Sequence, residues 1–303
     1  MLTLNTHILN SSAYTDTNYV FITEVFMLIK KERFHFAQEE EGQLMVDVTD
    51  RVNNRPIDGA SVSISYAGDP QDTLEQLTTD SNGMTEEIDL AAPPRSYSEY
   101  PLSDVQPYSE YNLIITAPGY EPTTISGSEI FSGELSVQPV RLNPVLPNAS
   151  ASVINIPANT LWGVFPPKIP EDEIKPVRSS GEIVLSRVVI PEYIVVHDGV
   201  PSDSSATDYY VRYADYIKNV ASSEIYSTWP EATLRANITA IMSFTLNRVY
   251  TEWYRNKGYD FTITTSTAYD HKWIYGRNIF DSISRIVDEI FANYISRPNV
   301  KQP

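Results

Sequence analysis

Residues 208–259, DYYVRYADYIKNVASSEIYSTWPEATLRANITAIMSFTLNRVYTEWYRNKGY, contain the longest helical pattern of the chain. Their first part repeats large apolar side chains at spacings of three and four, which predicts a helix that ends near residues 222–225. Trp229 and Pro230 then mark the start of a second helix, because the fixed φ of proline suits the first helical position. Between residues 238 and 249 more than half of this helix surface is apolar, so we expect the helix to lie inside a domain. The apolar positions of the first helix are Tyr213, Tyr216, Ile217 and Val220.

The composition divides the chain into two parts. With 303 residues, 42% of them hydrophobic, the chain is long enough to form two cores. Residues 1–207 carry 11 basic and 29 acidic side chains, whereas residues 208–303 carry 11 and 10. The acidic excess would be repelled by phosphate backbones, which argues against nucleic acid as a partner. Because the chain has no cysteine, disulfides, cysteine-bound zinc and thiol nucleophiles are excluded.

Short runs with a period of two dominate residues 42–143 and predict β-strands. The turn from Thr79 to Gly83 and the segment from Ala117 to Glu121 resemble those of transthyretin-like and carboxypeptidase-regulatory β-sandwiches. This resemblance implies an all-β sandwich that serves as a spacer or a binding module. The clearest predicted strands are residues 44–48, 60–66, 111–117 and 135–142.

Two further segments lie outside these parts. Residues 1–41 contain an apolar run that is interrupted by Glu24 and is too short to be a transmembrane helix. The run has no signal-peptide pattern around it, so we expect either a poorly ordered extension or a start codon assigned too early, and no transmembrane segment. Residues 144–180 are rich in proline and predict a stiff linker. After the linker, residues 183–189 and 193–196 predict strands that pack beside the two helices.

The second part carries a family resemblance at its two predicted helices. The sequence Val220-Ala221-Ser222-Ser223-Glu224-Ile225, followed by Trp229-Pro230-Glu231-Ala232 and a helix that contains further alanines, resembles the SpoIID/LytB-type domain of spore and cell-wall proteins. The similarity is closest to spore cortex-lytic enzymes of the SleC kind. Residues 260–276 are similar to a later segment of that family, and residues 279–295 are similar to the helix that follows it, so the resemblance covers roughly residues 181–303. It implies a multidomain α and β protein, in which the all-β sandwich is followed by a mostly helical α+β SpoIID-like domain.

Glu224 is the predicted catalytic residue. Cleavage of a glycosidic bond requires a carboxyl group that donates a proton, usually from a partly apolar site. Ile225, Tyr226 and Trp229 could supply such a site, whereas the competing interpretation is a solvated carboxylate at a helix end. The resemblance implies a lytic transglycosylase, in which one glutamate acts first as acid and then as base. The sugar's own 6-hydroxyl then attacks the anomeric carbon and leaves 1,6-anhydromuramic ends.

Aromatic and polar residues of the connectors are candidates for substrate binding, because tyrosine and tryptophan rings stack on the C–H faces of sugars. The aromatic residues could equally be packed in a core. Asp270 and His271 could hold substrate or orient Glu224, and His271 could instead lie exposed at the surface. No two of the four histidines have metal-ligand spacing, so we predict no metal and no cofactor. The predicted substrate-binding residues are Tyr226, Trp229, Tyr269, Asp270, His271 and Tyr275.

These features predict an extracytoplasmic protein of the spore or cell wall that acts on the glycan strands of peptidoglycan. The related cortex-lytic enzymes continue beyond the position of Pro303, so we expect a C-terminally truncated domain, and the enzymatic activity of this chain stays open. One alternative is a non-catalytic spore or cell-wall protein that binds glycan. Another is a purely structural spacer. The oligomeric state does not follow from the sequence.

Overall fold

The computed structural model describes residues 40–100, 103–146, 151–159, 161, 183–296 and 302–303. The predicted extension lies outside these residues except for Glu40 and Glu41, which belong to the first strand. The elements are β1 (Glu40–Asp50), β2 (Ser61–Tyr66), β3 (Asp69–Thr78), β4 (Ile88–Ala92), α1 (Ser96–Glu99), β5 (Ser109–Thr116), β6 (Thr123–Ile130), β7 (Leu135–Leu142), β8 (Ser152–Asn155), β9 (Tyr193–His197), β10 (Asp208–Arg212), α2 (Tyr213–Glu224), α3 (Glu231–Tyr250), a 3-10 turn (Arg255–Lys257), β11 (Ile263–Thr264), β12 (Ile279–Phe280) and α4 (Asp281–Ile290).

The first part of the chain is a β-sandwich, as its alternating sequence predicts. One sheet has the strand order β12-β7-β1-β4, and the other has the order β3-β2-β5-β6-β8. Alternate side chains of most strands point inward, because successive residues of a strand face opposite sides of a sheet. The edge strand β3 is an exception, since nine of its ten residues are exposed. The inward-facing residues of both sheets share one apolar core, which includes Leu44, Val46, Val48, Val62, Ile64, Leu113, Ile115, Ile125 and Val140.

The second part contains a three-stranded sheet of order β10-β9-β11 with helices packed beside it. Helix α2 ends at Glu224, as predicted, because Ile225 adopts an extended backbone. Helix α3 follows Pro230, whose φ of −53° leads into the helix. Both predicted helices are therefore confirmed. The helices and the sheet share a core that includes Ile194, Val196, Tyr216, Ile217, Val220, Ile238, Met242, Leu246, Ile283 and Ile286.

The prediction of a mostly helical second domain is wrong, since the structure is 34% strand and 21% helix, and helices cover less than half of residues 183–296. Between α3 and α4 the chain runs through turns, the 3-10 turn and two-residue strands. Many backbone N–H groups there bond to carbonyls in turns and loops, and those of Thr264, Lys272 and Ile274 bond to side chains, so no continuous helix forms. Residues 183–189 also form no strand. Residues 279–280, predicted as the start of the last helix, are β12.

The two parts are connected by strand pairing and by side-chain contacts, and residues 40–303 form one compact unit. Strand β12 pairs antiparallel with β7, so that Ile279 lies opposite Val137. The ring of Phe131, just after β6, packs 5.1 Å from that of Phe280. Within the segment predicted as linker, β8 pairs parallel with β6 and extends the second sheet. Most of that segment lies outside the described residues.

Candidate functional site

Glu224 is half-buried at the end of α2 and binds the chain segment that follows α3. One of its carboxylate oxygens, Oε1, accepts the backbone N–H of Lys272 at 2.7 Å. The Lys272 ammonium donates to the carbonyl of Ala158 at 3.3 Å. Burial lowers the pKa of Lys272, and Arg277 lowers it further, while Glu129 and Glu224 act in the opposite direction. The predicted catalytic carboxylate thus lies beside a partly desolvated lysine.

Asn219 holds the same segment one turn earlier on α2. Its side-chain Nδ2 donates to the carbonyl of Ile274 at 2.8 Å, and its Oδ1 accepts the Ile274 N–H at 3.0 Å. Asn219 and Glu224 therefore bind the backbone on both sides of Trp273. This arrangement gives Glu224 a structural task whatever its chemistry, because it fixes the course of residues 272–274.

Asp270 lies in a buried polar cluster. Its Oδ1 accepts the Nε–H of Arg248 at 2.7 Å. Its Oδ2 accepts the hydroxyls of Tyr254 and Thr264, both at 2.6 Å, and the Thr264 N–H at 2.9 Å. Burial raises the pKa of the Tyr254 hydroxyl, and the Asp270 charge raises it further. Asp270 is 2% exposed and accepts four hydrogen bonds from the protein. Its carboxylate is therefore held in the interior and is not presented to a ligand.

His271 and Tyr269 flank that cluster. His271 is 8% exposed, so the interpretation that it lies at the surface is wrong. Its Nδ1 lies 3.4 Å from the hydroxyl of the buried Tyr216, and its ring packs 4.7 Å from that of Phe244. Tyr269 is half-buried, and its carbonyl accepts an N–H of Arg248 at 3.0 Å.

Tyr226 and Trp229 pack against the sandwich. Tyr226 is 5% exposed, and its ring lies 5.5 Å from that of Phe131 and 5.8 Å from that of Trp229. The Nε1–H of Trp229 donates to the carbonyl of Ser98 in α1 at 2.9 Å. These contacts leave little of the Tyr226 ring open to a sugar, whereas Trp229 is half-buried.

Tyr275 belongs to a different surface, which we call the aromatic patch: Tyr209, Trp273, Tyr275 and Arg51. The rings of Tyr209 and Tyr275 stack with centroids 4.9 Å apart and planes 23° from parallel. Trp273 packs 5.4 Å from Tyr209 and is 7% exposed, whereas both tyrosines are half-exposed. The Tyr275 hydroxyl accepts a hydrogen bond from Arg51 at 2.8 Å. Burial raises the pKa of Tyr209, and the charge of the nearby Asp198 adds to the rise.

Backbone geometry next to the patch depends on Gly276. Its φ is +75°, a left-handed conformation that glycine adopts without strain. A Cβ at this position would lie 2.7 Å from a methyl carbon of Ile154 in β8. The Gly276 carbonyl accepts a hydrogen bond from the Gln138 side chain at 2.8 Å. The end of the patch is therefore anchored on both sheets of the sandwich.

The structure does not bring the predicted site residues together in one cleft. Glu224 binds Lys272 at one end of the segment 272–275, and Tyr275 is at its other end. Asp270 and His271 lie in the interior. Tyr226 and Trp229 lie at the junction of the two parts. Tyr209 is not among the predicted site residues, because residues 208–212 directly precede the apolar positions of α2 and extend its helical pattern. Arg51 is not among them either, because it lies 224 residues from Tyr275 and offers no local signal. In the described part of the chain, no three acidic, histidine or cysteine residues cluster as a metal site would require.

Comparisons with known proteins leave the family open. No family model matches the chain, and no curated protein matches it. Solved structures with local similarity include the Bacillus anthracis TIE protein (17% identity, 35% of this chain and 17% of that chain, TM-score 0.24). Another is the 5-hydroxyisourate hydrolase of Klebsiella pneumoniae (20% identity, 34% of this chain and 92% of that chain, TM-score 0.23). A third is a minor pilin of Streptococcus agalactiae (17% identity, 38% of this chain and 49% of that chain, TM-score 0.25). The chain thus spans only a small share of the first of these proteins. None of the helices that the structure describes is long and apolar enough to cross a bilayer.

Proposed function

We propose that this protein is a non-catalytic, wall-associated protein that binds the glycan strands of peptidoglycan at the aromatic patch. The stack of Tyr209 on Tyr275 carries the proposal, because both rings are half-exposed and are held in contact at one place on the surface. Sugars present C–H faces that pack on such rings, while their hydroxyls need polar groups at the rim. Arg51 and the tyrosine hydroxyls supply polar groups there.

The patch is preorganised, which favours binding. Trp273 lies behind the two tyrosines, and Arg51 both donates to the Tyr275 hydroxyl and lies 5.7 Å from the centre of its ring. A ligand therefore needs to order few side chains, and the entropic cost of binding is small.

Charge also favours this surface over the rest of the sandwich. Arg51 is an exposed cation at the patch, and the lactyl groups of muramic acid residues are carboxylates wherever no peptide is attached. Most of the acidic excess lies on residues 1–207. At physiological salt, charges farther than about 8 Å from the ligand are largely screened, so the local cation matters more than the net charge. Peptidoglycan lies outside the cytoplasmic membrane, so this proposal places the protein at the spore or cell wall.

A second candidate function is cleavage of the glycan by Glu224. One observation favours it: the half-buried carboxylate is fixed by the Lys272 N–H, three residues before Tyr275 of the patch. The resemblance of residues 220–232 to SpoIID/LytB-type proteins supports the same role. In this mechanism Glu224 protonates the glycosidic oxygen and then takes the proton of the 6-hydroxyl. That oxygen closes on the anomeric carbon without water.

Sedimentation with purified cortex or wall peptidoglycan tests the binding proposal. We expect the full chain to sediment with the polymer, and Tyr275→Ala to bind about tenfold or more weakly, as for a central aromatic contact. Tyr100→Ala is the matched control, because Tyr100 is 61% exposed but lies outside the patch. Equal binding of Tyr275→Ala and the wild-type chain contradicts the proposal.

Mass spectrometry of the soluble products tests the second candidate. 1,6-Anhydromuramic ends that vanish in Glu224→Gln would support cleavage by Glu224, since an amide cannot donate that proton. We expect the loss to be about 10²–10⁴-fold. If Glu224→Gln still binds the wall fully, its loss of cleavage comes from the missing acid and not from a displaced segment 272–274. If the wild-type chain binds peptidoglycan but releases no product, the binding proposal is kept and cleavage by Glu224 is contradicted.

A further inference from the structure

Strand β10 is an edge strand that pairs with β9 over five residues without a register shift. At one end of this pair the N–H of Asp198 donates to the carbonyl of Thr207, and at the other the N–H of Tyr213 donates to the carbonyl of Glu192. In an antiparallel pair, every second residue makes the bonds to its partner. The odd-numbered residues of β10 therefore bind β9. The N–H and C=O groups of its even-numbered residues point away from the sheet, where the described residues place no further strand.

The side chains of these even-numbered residues form a self-complementary row. Asp208, Tyr210 and Arg212 lie on one exposed face, and Tyr210 is 76% exposed. The row has an acid at one end, a base at the other and an aromatic ring in the middle. Arg212 also lies over the ring of Tyr193, with 5.4 Å from its guanidinium carbon to the ring centre.

We propose that β10 pairs antiparallel with β10 of a second copy of this chain, about a two-fold axis at Tyr210. This register overlaps all five residues and places every outward-facing residue in a hydrogen-bonded pair. It sets Asp208 opposite Arg212 of the partner subunit, and Tyr210 opposite Tyr210 of the partner subunit. Opposite charges and aromatic rings at directly opposed positions are favourable cross-strand pairs. The two three-stranded sheets then form one continuous sheet.

Strand β3 is also an edge strand, but it is less suited than β10 to pair with a second copy of the chain. Strand β3 is an edge of ten residues, but it carries Asp69, Asp72 and Glu75 and its pairing with β2 is irregular. Acidic side chains and irregular pairing are devices that keep an edge from joining other strands. A copy of β3 would also oppose acids to acids. Strand β10 has neither lysine, proline nor irregular pairing, and its charges complement themselves.

A single cysteine provides the direct test. The chain has none of its own, so Tyr210→Cys reports only on this edge. Opposed residues in a hydrogen-bonded antiparallel pair have Cα atoms about 5.5 Å apart. We expect a short bifunctional thiol reagent to link Tyr210→Cys into dimers at high protein concentration, because a five-residue strand pair is a small interface. Val153→Cys is the control, since Val153 is 63% exposed on the edge strand β8. Equal cross-linking of the two variants would overturn the proposal.

Charge exchange tests the register by sedimentation equilibrium. Arg212→Asp sets acid against acid, and we expect the dissociation constant of the dimer to rise by about tenfold, since two cross-strand pairs become repulsive. The double variant Asp208→Arg/Arg212→Asp restores opposite charges, and we expect it to recover most of the association. Melting curves check the fold, because Asp208 also accepts a hydrogen bond from the His197 ring at 2.7 Å. A wild-type chain that stays monomeric, or a folded double variant as weak as Arg212→Asp, would contradict the pairing. Binding of a foreign strand with no self-association would also overturn it.

Discussion

Arg277 and Glu129 form an ion pair in which both side chains are completely buried. The same guanidinium donates to the carbonyl of Ser222, at the negative end of α2, at 2.6 Å. The second oxygen of Glu129 accepts the N–H of Asn159 at 3.0 Å. One pair thus joins β6 of the sandwich, the end of α2 and the segment before β12.

Loss of one partner of this pair should be strongly destabilising. Arg277→Met leaves the Glu129 carboxylate buried without its cation, and we expect the free energy of unfolding to fall by about 3–5 kcal/mol. The double variant Glu129→Gln/Arg277→Met removes both charges and should recover a large part of that loss. Urea denaturation of the three proteins measures both changes. A fall below about 1 kcal/mol for Arg277→Met would show that the pair contributes little.

The Asp270–Arg248 pair is a second buried ion pair, and its stability can be compared with that of an exposed pair. Asp270→Ala leaves the Arg248 guanidinium, 3% exposed, without its carboxylate, and should cost about 3–5 kcal/mol. The control is Asp281→Ala, which breaks an exposed pair with Arg285 in α4 and should cost less than about 1 kcal/mol. Thermal or urea unfolding distinguishes the two. Similar costs would mean that the Asp270 cluster is open to water.

The stability of the wild-type chain should depend on pH through Glu134. Burial raises the pKa of its carboxyl above the usual value of 4.5, while hydrogen bonding and Arg95 partly oppose the rise. The folded chain therefore binds this proton more tightly than the unfolded chain. The resulting stabilisation is complete below the unfolded pKa and is lost as the pH rises through the folded pKa.

Glu134→Gln isolates that contribution. Relative to the wild-type chain, we expect the variant to gain stability as the pH rises from about 4 to 7, since the amide never has to bury a charge. Urea unfolding at several pH values gives the difference directly. A difference that is constant with pH, or that falls, would contradict the raised pKa.

The sequence was sufficient for elements whose signal is local. Helix α3 follows from Pro230 and a long apolar surface, and β1 follows from Leu44, Val46 and Val48, which alternate on one face. Strand β10 was missed, because the tyrosines at positions 209 and 210 precede the apolar positions of α2 and extend its helical pattern backwards. Short elements next to strong helices have too few residues for a period of their own.

The site was less predictable, because its contacts join residues that are distant in sequence. Glu224 and the 269–276 segment are both visible in the sequence, but the hydrogen bond between Glu224 and Lys272 depends on how α2 packs. Glu129 and Arg277 look like ordinary surface charges, since nothing near them in sequence indicates that they are buried together. Aromatic residues likewise do not show which of their faces remains exposed, so Tyr226 and Tyr275 were equal candidates.

Calorimetric titration with a peptide-free peptidoglycan tetrasaccharide tests the central claim most directly. We predict saturable binding by the wild-type chain, a loss of about tenfold or more in affinity for Tyr275→Ala, and a smaller loss for Tyr275→Phe, which keeps the ring stacked on Tyr209. Tyr100→Ala should bind as the wild-type chain does. No binding by the wild-type chain, or unchanged affinity of a folded Tyr275→Ala, would contradict glycan binding at the aromatic patch.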